Sequence, residues 1–220
     1  ERTALADAEV EYHDHVSPTI HVAFPVVRPS SAMGPASGLS GDVSGEVAIV
    51  IWTTTPWTIP GNRAIAAAAD QDYVRLRVTA TGEGARVATG REFVVAAPLL
   101  DAFCRDCGIV GHEIVARLRG ADIVGTVCAH PLRGQGYDFD VPVLAADFVT
   151  MDQGTGFVHI APGHGADDFE LGSANGIEVP ETVGEDGAFF PHVPLFAGRR
   201  VLTDEGKEGD ANGAVIAALD

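Results

Sequence analysis

Hydrophobic positions along this chain gather in short, dense runs more often than in helical stripes. "HVAFPVV" (21–27) and "VAIVIWTT" (47–54) are rich in branched and aromatic residues, as buried strands are. "YVRLRVTAT" (73–81) alternates apolar with polar and predicts a half-exposed strand, with "ARVATG" (85–90) placed to pair with it as a hairpin. Residues 92–107, "EFVVAAPLLDAFCRDC", carry apolar groups at helical spacing around Pro98 and stop at Gly108, which predicts a helix on the outside of a sheet. Further short strands broken by glycines are expected in 112–132 and 141–162, a short helix in 166–176, and a closing helix in 212–220. Strand following strand with few helices between predicts an α+β fold, mainly β. Its core is expected to be a compact closed or strongly curved, β-barrel-like sheet with short peripheral helices, not a doubly wound one.

Composition narrows the picture. With 220 residues and 46% hydrophobic content the chain can bury a proper core. One domain over 1–220 is expected, with the Gly, Ser and Pro-rich stretch 28–46 as a flexible surface loop. Fourteen Lys and Arg against thirty-one Asp and Glu give a net charge of −17. Such a surface does not attract nucleic-acid phosphates as a whole, so any RNA must be delivered from elsewhere or touch a local patch. Three cysteines, Cys104, Cys107 and Cys128, are too few and too odd in number for a disulfide framework, which favours a reducing, cytoplasmic setting. Cys104 and Cys107 have the spacing of a redox pair or half a zinc site, but no second such pair follows, and packing on a helix is the plainer expectation. No apolar stretch is long enough to span a membrane, and the acidic N-terminus is unlike a signal peptide. The missing initial methionine suggests a piece of a longer protein.

Two stretches could carry chemistry. The first is "WTTTPWTIPGN" (52–62); the second is "GTGFVHIAPGHGADDFELG" (154–172), which packs His159, His164, Asp167 and Asp168 among glycines that let backbone approach a ligand. Taken singly each has a bland explanation: strand propensity for the threonines, a satisfied core histidine, acids that cap or support a helix start. A zinc site built on His159, His164 and a carboxylate lacks the spacing that holds two imidazoles on one helix face. A nucleophilic hydrolase lacks a G-x-S-x-G elbow or a cysteine in a catalytic setting. The remaining reading uses Asp168 to anchor a cationic group, with threonine hydroxyls and backbone amides positioning a water.

Together, the two stretches resemble the editing domain inserted in the class I aminoacyl-tRNA synthetases for isoleucine, valine and leucine, and the Pro-Trp-Thr after the threonine run is similar to the isoleucyl type. The resemblance covers essentially the whole chain; Ile59, Gly61 and Phe169 stand where other members often have Leu, Ala and Tyr. It implies a hydrolase of mischarged valyl-tRNA working on the 3′ end of the tRNA. In that role Asp168 binds the α-ammonium, and Trp57 with His159 walls a pocket that fits valine and crowds isoleucine. Thr53, Thr54 and Thr55 hold the terminal adenosine, the ester and the attacking water, with Thr58 and Asn62 in support and Gly163 and His164 among the substrate-binding residues. No HIGH-like or KMSKS-like stretch is present. By the same resemblance, ATP and Mg therefore belong to a catalytic part outside this chain, which needs no cofactor or metal and should not charge tRNA. The rival reading is a module that binds an aminoacyl-adenosine end with little hydrolysis. A monomer is expected.

Overall fold

Branched and aromatic residues place a strand wherever they run unbroken, and neighbouring chains decide how deeply each is buried. In the computed structural model, which describes residues 16–33 and 47–220, nine strands form. They are β1 (Ile20–Arg28), β2 (Val47–Thr53), β3 (Ala64–Ala67), β4 (Asp72–Thr81), β5 (Glu92–Ala96), β6 (Ile109–Arg119), β7 (Val127–Ala129), β8 (Asp140–Ala145) and β9 (Phe157–Ile160). Four short helices, α1 (Leu100–Asp106), α2 (Gly120–Ile123), α3 (Ala166–Ala174) and α4 (Ala211–Leu219), lie between or after them. The strands join into one mixed sheet in the order β6-β4-β5-β2-β1-β7-β8-β3-β9.

The mainly β architecture with few short helices is as expected, but the barrel does not close. β6 and β9 end the ladder and do not pair with each other. The sheet bends instead, so that β9 packs against β2, five strands away in the ladder. Tyr73 on β4 helps hold this bend: its hydroxyl donates to the Gly156 carbonyl at 2.8 Å and accepts the Ala68 N–H at 3.0 Å. The main core gathers Phe24, Ile49, Ile51, Ile59, Tyr73 and Phe157. A second cluster, with Val50, Val74, Leu76 and Phe93, is covered by Phe103 of α1.

Three local expectations are corrected. The start of the helix expected over 92–107 is β5, whose five residues are all buried between β2, to which it runs parallel, and antiparallel β4. A run buried on both faces has no period to read, and only 100–106 become α-helix. The main partner of β4 in its hairpin is therefore β5, with only Gly90 of 85–90 bonding to β4, its N–H to Val78 O at 2.8 Å, and Tyr73–Leu76 are buried in a row instead of alternating. Within 28–46, Ser31–Met33 form a 3-10 turn with Met33 buried, while 34–46 lie outside the described residues, as do 1–15. No helix among the described residues is long and apolar enough to cross a membrane.

Candidate functional site

β2 delivers the threonine stretch. Its last residue, Thr53, is buried, and the turn that follows leaves Thr54 and Thr55 exposed. The Thr55 N–H donates to Thr53 Oγ1 at 3.1 Å, and the two hydroxyls lie 3.2 Å apart. Pro56 then starts a 3-10 helix, Pro56–Gly61, as proline suits the first helical position. Inside it Thr58 is buried and donates its one hydroxyl proton to the Thr55 carbonyl at 2.9 Å. The same oxygen lies 3.0 Å from His159 Nε2 and must accept there, which puts the proton of the neutral imidazole on Nε2. Nδ1 of His159 is then a buried acceptor with no partner among the described residues. Burial pushes this histidine down to about 4, with the charge of His164 adding to the effect.

The two stretches meet because of β3. Asn62 ends the 3-10 helix, its N–H donating to the Ile59 carbonyl and its Nδ2 to Ala64 O at 2.9 Å. The next N–H, of Arg63, donates to Ile160 O at 2.8 Å, and β3 pairs antiparallel with β9, with Ile65 opposite His159. Sequence reasoning missed this four-residue strand. Asn62 is completely buried, behind the site and not on its surface.

Trp57 is half-buried and held from two sides. Its backbone N–H donates to Asn212 Oδ1 of α4 at 3.0 Å. Its ring meets His164 edge-on, centroids 4.8 Å apart at 77°. The rings of Trp57 and His159 do not pair: His159 reaches Thr58, and Trp57 reaches His164. His159 is only 8% exposed, so it offers a substrate little surface. A Cβ at Gly163 would sit 2.9 Å from Pro180 O, and its absence lets the 178–182 segment come against this loop. That approach delivers buried Thr182, whose Oγ1 is 2.6 Å from His164 Nε2.

Asp168 stands half-buried in the first turn of α3. Its Oδ2 accepts the Ala161 N–H at 2.8 Å, which ties it to the end of β9, and it forms no ion pair among the described residues. Burial raises its pKa, the Ala161 N–H opposes this in part, and the neighbouring charge of Asp167 adds to the rise. Asp167 is exposed, and no side-chain cap forms at Gly165. A half-buried carboxylate with an open oxygen and no cation is a place where an ammonium group gains most.

His130, Thr182 and Asn212 were not legible as site residues. His130, 1% exposed, accepts the Leu132 N–H on Nδ1 and donates from Nε2 to the Ile59 carbonyl at 3.0 Å, bracing the 3-10 helix from below. Each contributes through a partner 18 to 155 positions away, and no local pattern marks it. Cavities open both away from the two stretches and against the first of them. One of about 1240 Å³, between β1, α1 and the end of α4, includes no residue of either stretch; another of about 620 Å³ borders Pro60, Arg63 and Thr182. Cys104 is buried on α1 and Cys107 ends it, and burial raises both thiols, Cys107 to about 12. Among the described residues no group of three or more His, Cys, Asp or Glu could hold a metal ion.

Comparison with known proteins identifies the fold and the family. A family model described as the leucyl-tRNA synthetase editing domain matches residues 112–208. The isoleucine–tRNA ligase of Gluconobacter oxydans is 54% identical over 202 residues, covering 92% of this chain and 20% of that protein. That of Caulobacter vibrioides is 48% identical over 230 residues, 100% of the chain and 22% of the protein. Among solved structures, the editing domain of the Plasmodium falciparum cytosolic leucyl-tRNA synthetase superposes with a TM-score of 0.52 at 12% identity, over 79% of this chain and 75% of that one. The leucyl matches report the shared fold, while the high identity along the whole chain lies with the isoleucine enzymes. The sheet and these matches thus define an editing domain of the aminoacyl-tRNA synthetases. The chain belongs to the isoleucine–tRNA ligase family, and it spans about a fifth of the length of the curated relatives it matches.

Proposed function

We propose that this chain hydrolyses the ester of valyl-tRNA formed in error by an isoleucine–tRNA ligase. The need for such a step is physical: one missing methylene is worth only about 1–3 kcal/mol in a hydrophobic pocket, a magnitude established on synthetases of this same kind. The observation that carries the reading is the joining of two stretches a hundred residues apart, through Thr58 and His159 and through β3 and β9, beside an uncompensated Asp168. Asp168 takes the α-ammonium of the misattached valine. Exposed Thr54 and Thr55, with Thr53 fixing the turn, hold the ribose, the ester and a water. Water adds to the ester carbonyl, the bond to the ribose oxygen breaks, and the water's proton leaves on that oxygen, releasing valine and a free 3′ end. No serine or cysteine nucleophile is needed, because an aminoacyl ester with a charged ammonium is already reactive; the raised cysteine thiols would be poor ones.

Trp57 and the small exposed part of His159 limit the side chain, so that isoleucine is crowded. ATP and Mg serve ligation in the parent enzyme and have no part here. The partner is the 3′ end of a tRNA for isoleucine, delivered by the rest of the synthetase, with a monomeric chain in the cytoplasm. A deacylation assay with valyl-tRNA and isoleucyl-tRNA tests this. The chain should release valine much faster than isoleucine, and His159→Ala should raise release of isoleucine. Equal release of both, or a trapped acyl-enzyme, contradicts the mechanism.

The net charge of −17 favours one other reading, a module that binds the aminoacyl-adenosine end but hydrolyses it slowly because little basic surface grips the RNA. Titration with a non-hydrolysable valyl-adenosine amide beside the assay separates the two: tight binding without turnover identifies the module.

A further inference from the structure

Trp57 would be a poor gauge of size if its ring were free to tilt, since the difference it must register is a single methylene. Its indole is instead pressed by the His164 ring, 4.8 Å away and nearly perpendicular. His164 in turn has little room to move. On one side Gly61 lacks a Cβ, which would stand 3.0 Å from His164 Cδ2 and 3.1 Å from Nε2, so a side chain there would press on the imidazole and shift it by a few tenths of an ångström. On the other side Thr182 Oγ1 bonds Nε2 at 2.6 Å. Thr182 is 5% exposed and comes from a segment outside both recognised stretches, brought in by the close approach of Pro180 to Gly163. Its neighbours are themselves fixed, because the Val183–Phe189 bridge and the bond from the Phe190 N–H to the Thr182 carbonyl hold the backbone in place. The hydroxyl is thus mounted on hydrogen-bonded backbone and aimed at the ring that, among the described residues, pairs with Trp57.

We propose that Thr182 is a specificity-determining positioning residue: by holding His164 against Trp57 it sets the side-chain size above which an aminoacyl ester is refused. This rests on the proposed editing reaction and deepens it, since Thr182 need not touch the substrate. A buried threonine that served packing alone would, when changed, slow both substrates alike. One that positions the gauge changes their ratio.

The experiment measures deacylation of valyl-tRNA and isoleucyl-tRNA, with binding of the non-hydrolysable valyl- and isoleucyl-adenosine amides, for the whole chain and three variants. Thr182→Val keeps the shape and removes the hydroxyl; the valine-to-isoleucine selectivity should fall about three- to tenfold, the range expected for loss of one hydrogen bond. Thr182→Ser keeps the hydroxyl and should stay within about twofold of the native ratio. Gly61→Ala pushes the same ring from the opposite side without touching Thr182 and should also alter the ratio, which keeps the inference testable if Thr182→Val folds poorly. An unchanged ratio in Thr182→Val and Gly61→Ala, with the native chain still selective, overturns the role of Thr182 and leaves the editing reaction standing. A native chain that neither binds nor hydrolyses either valyl compound overturns both.

Discussion

Two parts of the molecule bury carboxylates, and they treat them in opposite ways. On the β4–β5–β6 flank Glu92 is 1% exposed, yet both of its oxygens are engaged: one by the buried Arg75, the other by Arg77 through Nε at 2.9 Å and Nη2 at 2.6 Å. Arg77 also reaches Glu113, so the charges form a closed ladder across three strands. Around α3, among the described residues, Asp168 has one backbone N–H and no cation, His159 keeps an unpartnered Nδ1, and Asn62 an unpartnered Oδ1. The Glu92 carboxylate is satisfied as it stands, although the neighbouring Arg91 keeps a buried Nε without a partner among the described residues; paired in this way, buried charge serves a fold. At the site the buried Asn62 and His159 atoms lie out of a ligand's reach, and the capacity left for a ligand is the half-buried Asp168 carboxylate.

That contrast can be broken by substitution. Glu92→Gln should destabilise the chain by about 3–5 kcal/mol, because Arg75 is left buried without its counter-charge; chemical denaturation checks this, and a loss under about 1 kcal/mol would mean that the ladder is not closed. Acid comes next. His130 and His159 both have pKa values lowered to about 4 from an ordinary 6.5, chiefly by burial. The unfolded chain therefore takes up protons first as pH drops: stability is complete above about pH 6.5 and is lost as pH falls through about 4, by roughly 3 kcal/mol for each histidine. Unfolding curves between pH 7 and 4 should show this, with the dependence reduced by about one proton in His159→Gln. Smaller still, Thr58→Val leaves the His159 Nε2–H without its acceptor and should cost about 1–3 kcal/mol, read as a lower melting temperature.

The sequence told some of this and not the rest, for identifiable reasons. β1, β2, α3 and α4 were legible because their composition and end signals agree with their final surroundings. β5 was misread because burial on both faces erases periodicity, and only its place between β2 and β4 makes it a strand. β3 is "AIAA", a sequence with little strand preference of its own; pairing with β8 and β9 imposes the conformation. Barrel closure was overstated, since bending of the sheet brings β9 to β2 without a ladder between the edges. At the site, the residue types and their two stretches could be named in advance, but not who touches whom. Thr58 meeting His159, and Thr182 meeting His164, depend on register and loop approach that no spacing encodes.

The most direct test of the central claim compares the native chain with Asp168→Asn, measuring valine release from valyl-tRNA alongside stability at neutral pH. Asparagine can still accept the Ala161 N–H but carries no charge. Since burial raises the Asp168 pKa, its ionised form costs stability once pH exceeds that pKa, so the variant should be as stable as the native chain or more so. Its hydrolysis should nevertheless fall by about thirtyfold or more, the loss expected when a buried charge partner is removed from a cation. Native rates of valine release from a folded Asp168→Asn chain would contradict the account.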